Sequence, residues 1–67
     1  MPRYQIGDRI KILQHDASPF AGLEGTIKEI LPHDRDITAL DRYAVLFEWG
    51  EQQIFYDVQL APVPISR

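Results

Sequence analysis

The stretch Ser18-Pro19-Phe20-Ala21-Gly22-Leu23-Glu24-Gly25-Thr26-Ile27 decides how this chain reads. A proline–phenylalanine turn leads to two glycines three residues apart, and the second glycine opens an apolar strand. Pro19 presets φ and stiffens the approach to Phe20. Gly22 gives the loop its freedom. Gly25 stands where the chain enters a sheet, and there a glycine permits either positive φ or a close backbone approach.

Upstream, Gly7-Asp8-Arg9-Ile10-Lys11-Ile12-Leu13 opens on a glycine and then alternates. Ile10 and Ile12 face one way, Arg9 and Lys11 the other, which is the period-2 mark of a half-buried strand over Arg9 to Leu13. Gln14 to Gly22 reads as a loop with Ser18-Pro19 as its turn signal. Gly25 to Leu31 is the second strand. Its Ile27 and Ile30 are three apart, which breaks alternation, and a bulge or strong bend would return both to the core. A helix over Gly22 to Leu31 is opposed by two glycines and the following Pro32.

Downstream, Pro32 to Asp41 is a polar, charge-rich hairpin loop with a short helical turn from Asp36 to Leu40. Tyr43 to Trp49 is the clearest strand, with Tyr43, Val45, Phe47 and Trp49 on one face. A turn at Trp49-Gly50-Glu51 leads into a strand over Gln52 to Tyr56. Asp57-Val58-Gln59 suits one turn of 3₁₀-helix. Leu60 to Val63 is a final short strand, with Pro62 tolerable only at an edge. Such an edge could pair between copies, so a monomer or a weak homo-oligomer is expected. Pro64 to Arg67 is a frayed tail.

The chain has 67 residues and no cysteine. One domain spans 1–67, with its core over about 4–63. A chain of this length buries on the order of 60% of its unfolded surface, and no disulfide or thiolate metal site can staple it. Closing a sheet on itself is one answer to that problem, because it removes exposed edges. No apolar run approaches the roughly 20 residues needed to span a bilayer. Met1-Pro2-Arg3-Tyr4 lacks the apolar core of a signal peptide, so the expected location is the cytoplasm and no membrane partner is expected. Five short strands, one long loop and a terminal turn give an all-β fold class, a small five-stranded SH3-like barrel. The expected core is Ile10, Ile12, Ile27, Ile30, Val45, Phe47, Ile54, Val58 and Leu60.

Gly7-Asp8-Arg9-Ile10-Lys11-Ile12, then Ser18-Pro19-Phe20-Ala21-Gly22, then Gly25-Thr26-Ile27-Lys28-Glu29-Ile30, together resemble a KOW motif. The pattern is similar to the C-terminal domain of NusG-type transcription elongation factors, from Tyr4 to Val63. That resemblance implies a binding module whose loop aromatics dock a protein of the transcription or translation machinery. The family's loop phenylalanine falls on Phe20, and its hairpin aromatic before a glycine falls on Trp49, followed by Gly50. The chain departs from the pattern at Glu48, where the family has an aliphatic residue, and at Glu51, where it has a basic one. It also shows no counterpart of the family's N-terminal domain, so a free-standing module is expected. A second likeness, carried by Tyr43-Ala44-Val45-Leu46-Phe47-Glu48-Trp49 and Phe55 to Leu60, is to the SH3-like PsaE and NdhS subunits of photosynthetic complexes. It implies an accessory subunit of a redox complex, although a chain of net charge −3 is a poor electrostatic mate for acidic ferredoxin.

Candidate partner-binding residues are therefore Pro19, Phe20, Glu48, Trp49 and Gly50. Tryptophan is among the residues enriched at interface hot spots, and an aromatic on a stiff loop loses little rotamer entropy on docking. The plainer reading of Trp49 is a lid over an open barrel end. RNA is the alternative partner, with Arg9, Lys11, Lys28 and Tyr43 as contacts, set against the plainer reading of a solvated strand face and core packing. Gly7, Gly22 and Gly25 are structural. His15-Asp16 and His33-Asp34-Arg35-Asp36 match no metal-ligand spacing, and no cofactor or metal is expected. No nucleophile elbow, phosphate-cradling glycine loop or triad is present, so no enzyme activity is expected.

Overall fold

The computed structural model describes residues 2–13 and 19–64. Five strands form one antiparallel sheet: β1 (Arg9–Ile12), β2 (Glu24–Leu31), β3 (Arg42–Leu46), β4 (Gln52–Tyr56) and β5 (Leu60–Pro62). Hydrogen bonding runs in the order β4-β3-β2-β1-β5. The described residues are all-β apart from two single-turn 3₁₀-helices, Thr38–Leu40 and Asp57–Gln59. The first falls inside the expected helical turn and the second coincides with the expected one. No helix among the described residues is long and apolar enough to cross a membrane.

The sheet is open, with β4 and β5 at its edges. The chemistry of β5 accounts for one side of this. The bonds from Leu13 N–H to the Gln59 carbonyl and from Val63 N–H to the Arg9 carbonyl fix which β5 residues face β1. By the alternation of an antiparallel ladder, Leu60 and Pro62 then turn their backbones outward. Leu60 N–H already donates to the Asp57 carbonyl, and Pro62 has no N–H. The last strand has no amide left to extend the ladder. A second copy laid along Leu60 to Val63 would therefore find carbonyl acceptors there but no outward amide donor.

The spacing of Ile27 and Ile30 has the anticipated result. The β2–β3 register runs Ile27↔Val45 and then Glu29↔Ala44, so Lys28 is the extra residue of a bulge. Ile27 is fully buried and Ile30 packs against the core. β3 is shorter than expected and ends at Leu46.

The core comprises Tyr4, Ile10, Ile12, Ile27, Tyr43, Val45, Phe47, Phe55 and Leu60. Of the expected members, Ile30 only packs against it from a partly buried position, and two others lie outside it. Ile54 is 56% exposed and Val58 is 54% exposed. Register explains Ile54: Tyr43 lies opposite Phe55, and Ala44 opposite Ile54. Opposed residues share a face of the sheet. With Tyr43 inside, Phe55 goes inside and Ile54 outside. Val58 sits in the middle of the 3₁₀ turn, whose neighbours Asp57 and Leu60 take the buried positions.

Tyr43 is also a correction, because it was expected as a nucleic-acid contact and is fully buried. Its hydroxyl accepts the backbone N–H groups of Arg3 (3.1 Å) and Tyr4 (3.4 Å). Arg3 Nε donates to Asp57 Oδ2 at 2.9 Å, and its guanidinium lies 4.9 Å from the centre of the Tyr4 ring. The N-terminal segment is thus strapped across the sheet. Asp41, fully buried, closes the long loop: its Oδ1 accepts His33 N–H at 2.7 Å, and its carbonyl accepts Asp57 N–H at 2.8 Å.

Burial pushes the Tyr4 and Tyr43 phenols above the ordinary value of 10.0. A phenol raised on folding favours the protonated, folded form. Its contribution is fully present below about pH 10 and is lost as pH climbs through the folded-state value. Stability should therefore be level from neutrality to about pH 9 and fall in stronger alkali. The two tyrosines should part company on substitution. Tyr43→Phe strands two N–H donors, that of Tyr4 buried and that of Arg3 part-buried, and should cost about 1–3 kcal/mol. The Tyr4 hydroxyl is buried without a partner among the described residues, so Tyr4→Phe should be neutral or stabilising and should blunt the alkaline loss. Urea melts at pH 7 and pH 10.5 on the two variants test both statements.

Candidate interaction site

The β3–β4 turn is closed by Phe47 N–H donating to the Glu51 carbonyl (2.9 Å) and Gly50 N–H donating to the Phe47 carbonyl (3.0 Å). Gly50 takes φ +93°, a conformation that glycine adopts at no steric cost. This turn carries Trp49, and it lies past the last residue of β3. Trp49 accordingly leaves the face it would share with Tyr43, Val45 and Phe47 and stands 56% exposed.

Exposure does not leave Trp49 loose. Its ring stacks on Phe47 with centroids 4.9 Å apart and planes 6° apart. Its indole Nε1–H donates to Glu51 Oε1 at 2.9 Å. The other carboxylate oxygen of Glu51 accepts from Gln53 Nε2 at 2.6 Å. These two bonds, that from Trp49 first, hold the Glu51 carboxyl below its ordinary 4.5. Glu51 is thus ionised at neutral pH and orients the indole.

Phe20 arrives from the other loop. Leu23 N–H donates to the Phe20 carbonyl at 3.0 Å, while Gly22 N–H donates to the Ile12 carbonyl at 2.8 Å. The loop is therefore tied to the end of β1. The Phe20 ring stacks on Phe47 as well, at 5.0 Å and 11°. Phe55 meets Phe20 and Phe47 edge-on, at 5.9 Å and 6.2 Å. Phe20 and Trp49, far apart in sequence, are thus joined through one buried ring, Phe47. Pro19 and Glu48 are exposed beside them in the chain. Sequence reasoning placed Phe47 in the core, but put Ile54 there in place of Phe55, and placed Glu51 among the departures from a pattern. The spacing Trp49-x-Glu51 across a tight turn was the signal available for the indole bond.

The proposed cationic contacts assemble less well. Arg9 donates to Thr26 Oγ1 at 3.2 Å and pairs with Glu24 at 3.4 Å. Lys11 lies opposite the same Glu24 in register, so one acid sits between the two cations. Lys28 is exposed in the bulge, and Tyr43 is inside. Gly7 and Gly22 take φ of +97° and +82°. Gly25 serves a close approach instead: a Cβ there would fall 2.5 Å from Val45 Cγ1.

His15-Asp16 and Ser18 lie outside the described residues. His33 Nδ1 lies 3.2 Å from Arg35 N–H, which donates to it, and 3.6 Å from Asp34 Oδ1. Among the described residues no three acidic or imidazole side chains gather as a metal site. Comparison of the chain with family models, curated proteins and solved structures finds no match.

Proposed function

We propose that this chain is a non-catalytic, cytoplasmic protein-binding module of KOW type. Trp49 is its anchor, Phe20 and Pro19 form a second contact, and Glu48 and Gly50 flank the anchor. Its partner is a protein of the transcription or translation machinery. The family attribution rests on the sequence pattern alone. The observation that carries the binding role is the state of Trp49: more than half exposed, yet held by a stacked ring and a charge-assisted hydrogen bond. An aromatic fixed before docking gives up little entropy on docking, so its buried area is turned into affinity with small loss. Arg9 is engaged by Glu24 and Tyr43 is buried, which leaves the RNA reading with fewer free contacts than the protein reading.

The test is affinity capture on the immobilised chain, followed by titration of the captured species against variants. Trp49→Ala should weaken binding by about 30-fold or more, the effect of losing a hot-spot residue worth about 2 kcal/mol. Its urea midpoint should stay near that of the parent chain. Lys11→Ala should bind unchanged. A folded Trp49→Ala that keeps the partner would refute the site. Capture abolished by ribonuclease, with affinity falling steeply with salt, would transfer the function to RNA.

A further inference from the structure

The edge formed by β4 presents a feature that the proposed docking site does not use. The bonds Phe47 N–H to the Glu51 carbonyl and Asp57 N–H to the Asp41 carbonyl set the phase of the β3–β4 ladder. Residues 51, 53, 55 and 57 bond inward to β3, so Gln52, Ile54 and Tyr56 turn their backbones outward. Tyr56 N–H is taken by Gln59 Oε1 at 2.7 Å. The N–H and C=O of Gln52 and Ile54 are left, two donors and two acceptors, without partners among the described residues.

Native edges are usually blunted by charge, by proline or by a covering segment. β1, β2 and β3 carry charged residues and β5 carries Pro62. β4 reads Gln-Gln-Ile-Phe-Tyr, with neither charge nor proline, and shows solvent Ile54 (56% exposed) and Tyr56 (46% exposed). β4 thus carries none of the usual guards.

We propose that β4 pairs antiparallel with β4 of a second copy of this chain, about a twofold axis through Gln53. The free groups determine that register. A twofold at Gln53 puts Gln52 opposite Ile54 of the other copy. Gln52 N–H donates to the Ile54 carbonyl and Ile54 N–H to the Gln52 carbonyl, in both directions. All four donors and all four acceptors of the pair of strands are then used. The register centred on Ile54 would instead bring Gln52 of one copy against Tyr56 of the other, where the Gln59 side chain already occupies the amide. No charged residue faces a like charge across the pair: Glu51 lies opposite Phe55. A short strand pair buries less than the roughly 1,200 Å² of a stable interface, so the dimer is a weak, reversible one. Each copy carries net −3, so its formation is favoured by salt.

Sedimentation equilibrium from about 20 µM to about 2 mM should show a monomer–dimer equilibrium that strengthens as salt is raised. Ile54→Lys and Ile54→Pro should each weaken it about tenfold or more, the second because an outward amide is removed. Ile37→Lys, at an exposed apolar position that is not part of β4, should leave it unchanged. In a mixture of labelled and unlabelled chains, the intermolecular proton contact should run between the Gln53 α-protons, which face each other in a non-hydrogen-bonded pair. A chain monomeric at every concentration, a dimer unaffected by both Ile54 variants, or intermolecular contacts that omit Gln53 would each overturn the proposal. Because Trp49→Ala leaves Gln52 and Ile54 intact, it should dimerise normally, which separates this surface from the docking site.

Discussion

Gly25→Ala should leave the domain largely unfolded at room temperature. The added Cβ would lie 2.5 Å from Val45 Cγ1, 2.9 Å from the Leu46 carbonyl oxygen and 3.4 Å from Phe47 Cδ1. Two of these contacts are closer than real carbon atoms approach, and one of the two is backbone. The Leu46 carbonyl belongs to a strand paired on both sides, by β2 and β4, so it cannot step aside cheaply. Overpacking of this kind costs about 1–3 kcal/mol where side chains can yield, and more where backbone must move. A 67-residue chain has only about 3–10 kcal/mol in total. Gly50→Ala is the control. It meets nothing within 4 Å, and its strain comes from φ +93° alone, a cost of about 1–3 kcal/mol. Urea midpoints should rank parent above Gly50→Ala above Gly25→Ala. The reverse order of the two variants would show that backbone conformation, not proximity, makes Gly25 necessary.

Phe47→Ala should be comparably severe and should also disable the docking surface. Phe47 is 2% exposed and touches Phe20, Trp49 and Phe55 through its ring. Truncating a buried phenylalanine costs about 3–5 kcal/mol, and each lost ring pair adds about 0.5–1.5 kcal/mol. Phe47→Leu separates the two roles. It keeps most of the volume and so avoids a large cavity, and its main cost is the three lost ring pairs, about 0.5–1.5 kcal/mol each. It should stay folded while removing the platform under Trp49. Near-ultraviolet circular dichroism should lose the tryptophan signal in Phe47→Leu, and partner affinity should drop with it. A Phe47→Leu chain with an unchanged tryptophan signal would mean that the Glu51 hydrogen bond alone positions the indole.

The parts of the fold that were legible in the sequence are those set by neighbours along the chain. The three-residue spacing of Ile27 and Ile30 reported the bulge at Lys28, and Asp57-Val58-Gln59 reported its own turn. The phase of β4 was not legible. Gln52-Gln53-Ile54-Phe55-Tyr56 offers an apolar residue to either face, and the choice is made by Tyr43 across the ladder. Tyr4 and Asp41 gave no local sign of burial, because what buries them comes from distant residues: Tyr43 for one, His33 and Asp57 for the other. The candidate site divides the same way. Phe20 and Trp49 were readable as loop aromatics. Their connection through Phe47 was not, since it spans two loops that only the sheet brings together.

The pairing of β1 with β5 also sets a schedule for the newborn chain. Arg9, Lys11 and Ile12 find their second neighbour in residues 60–63. At about 5–20 residues per second, a ribosome needs roughly three to ten seconds to travel from one to the other. During that interval the first strand has at most one side satisfied, and the Arg3–Asp57 clasp cannot yet exist. Final assembly therefore waits for translation to pass Pro62 and for those residues to leave the exit tunnel.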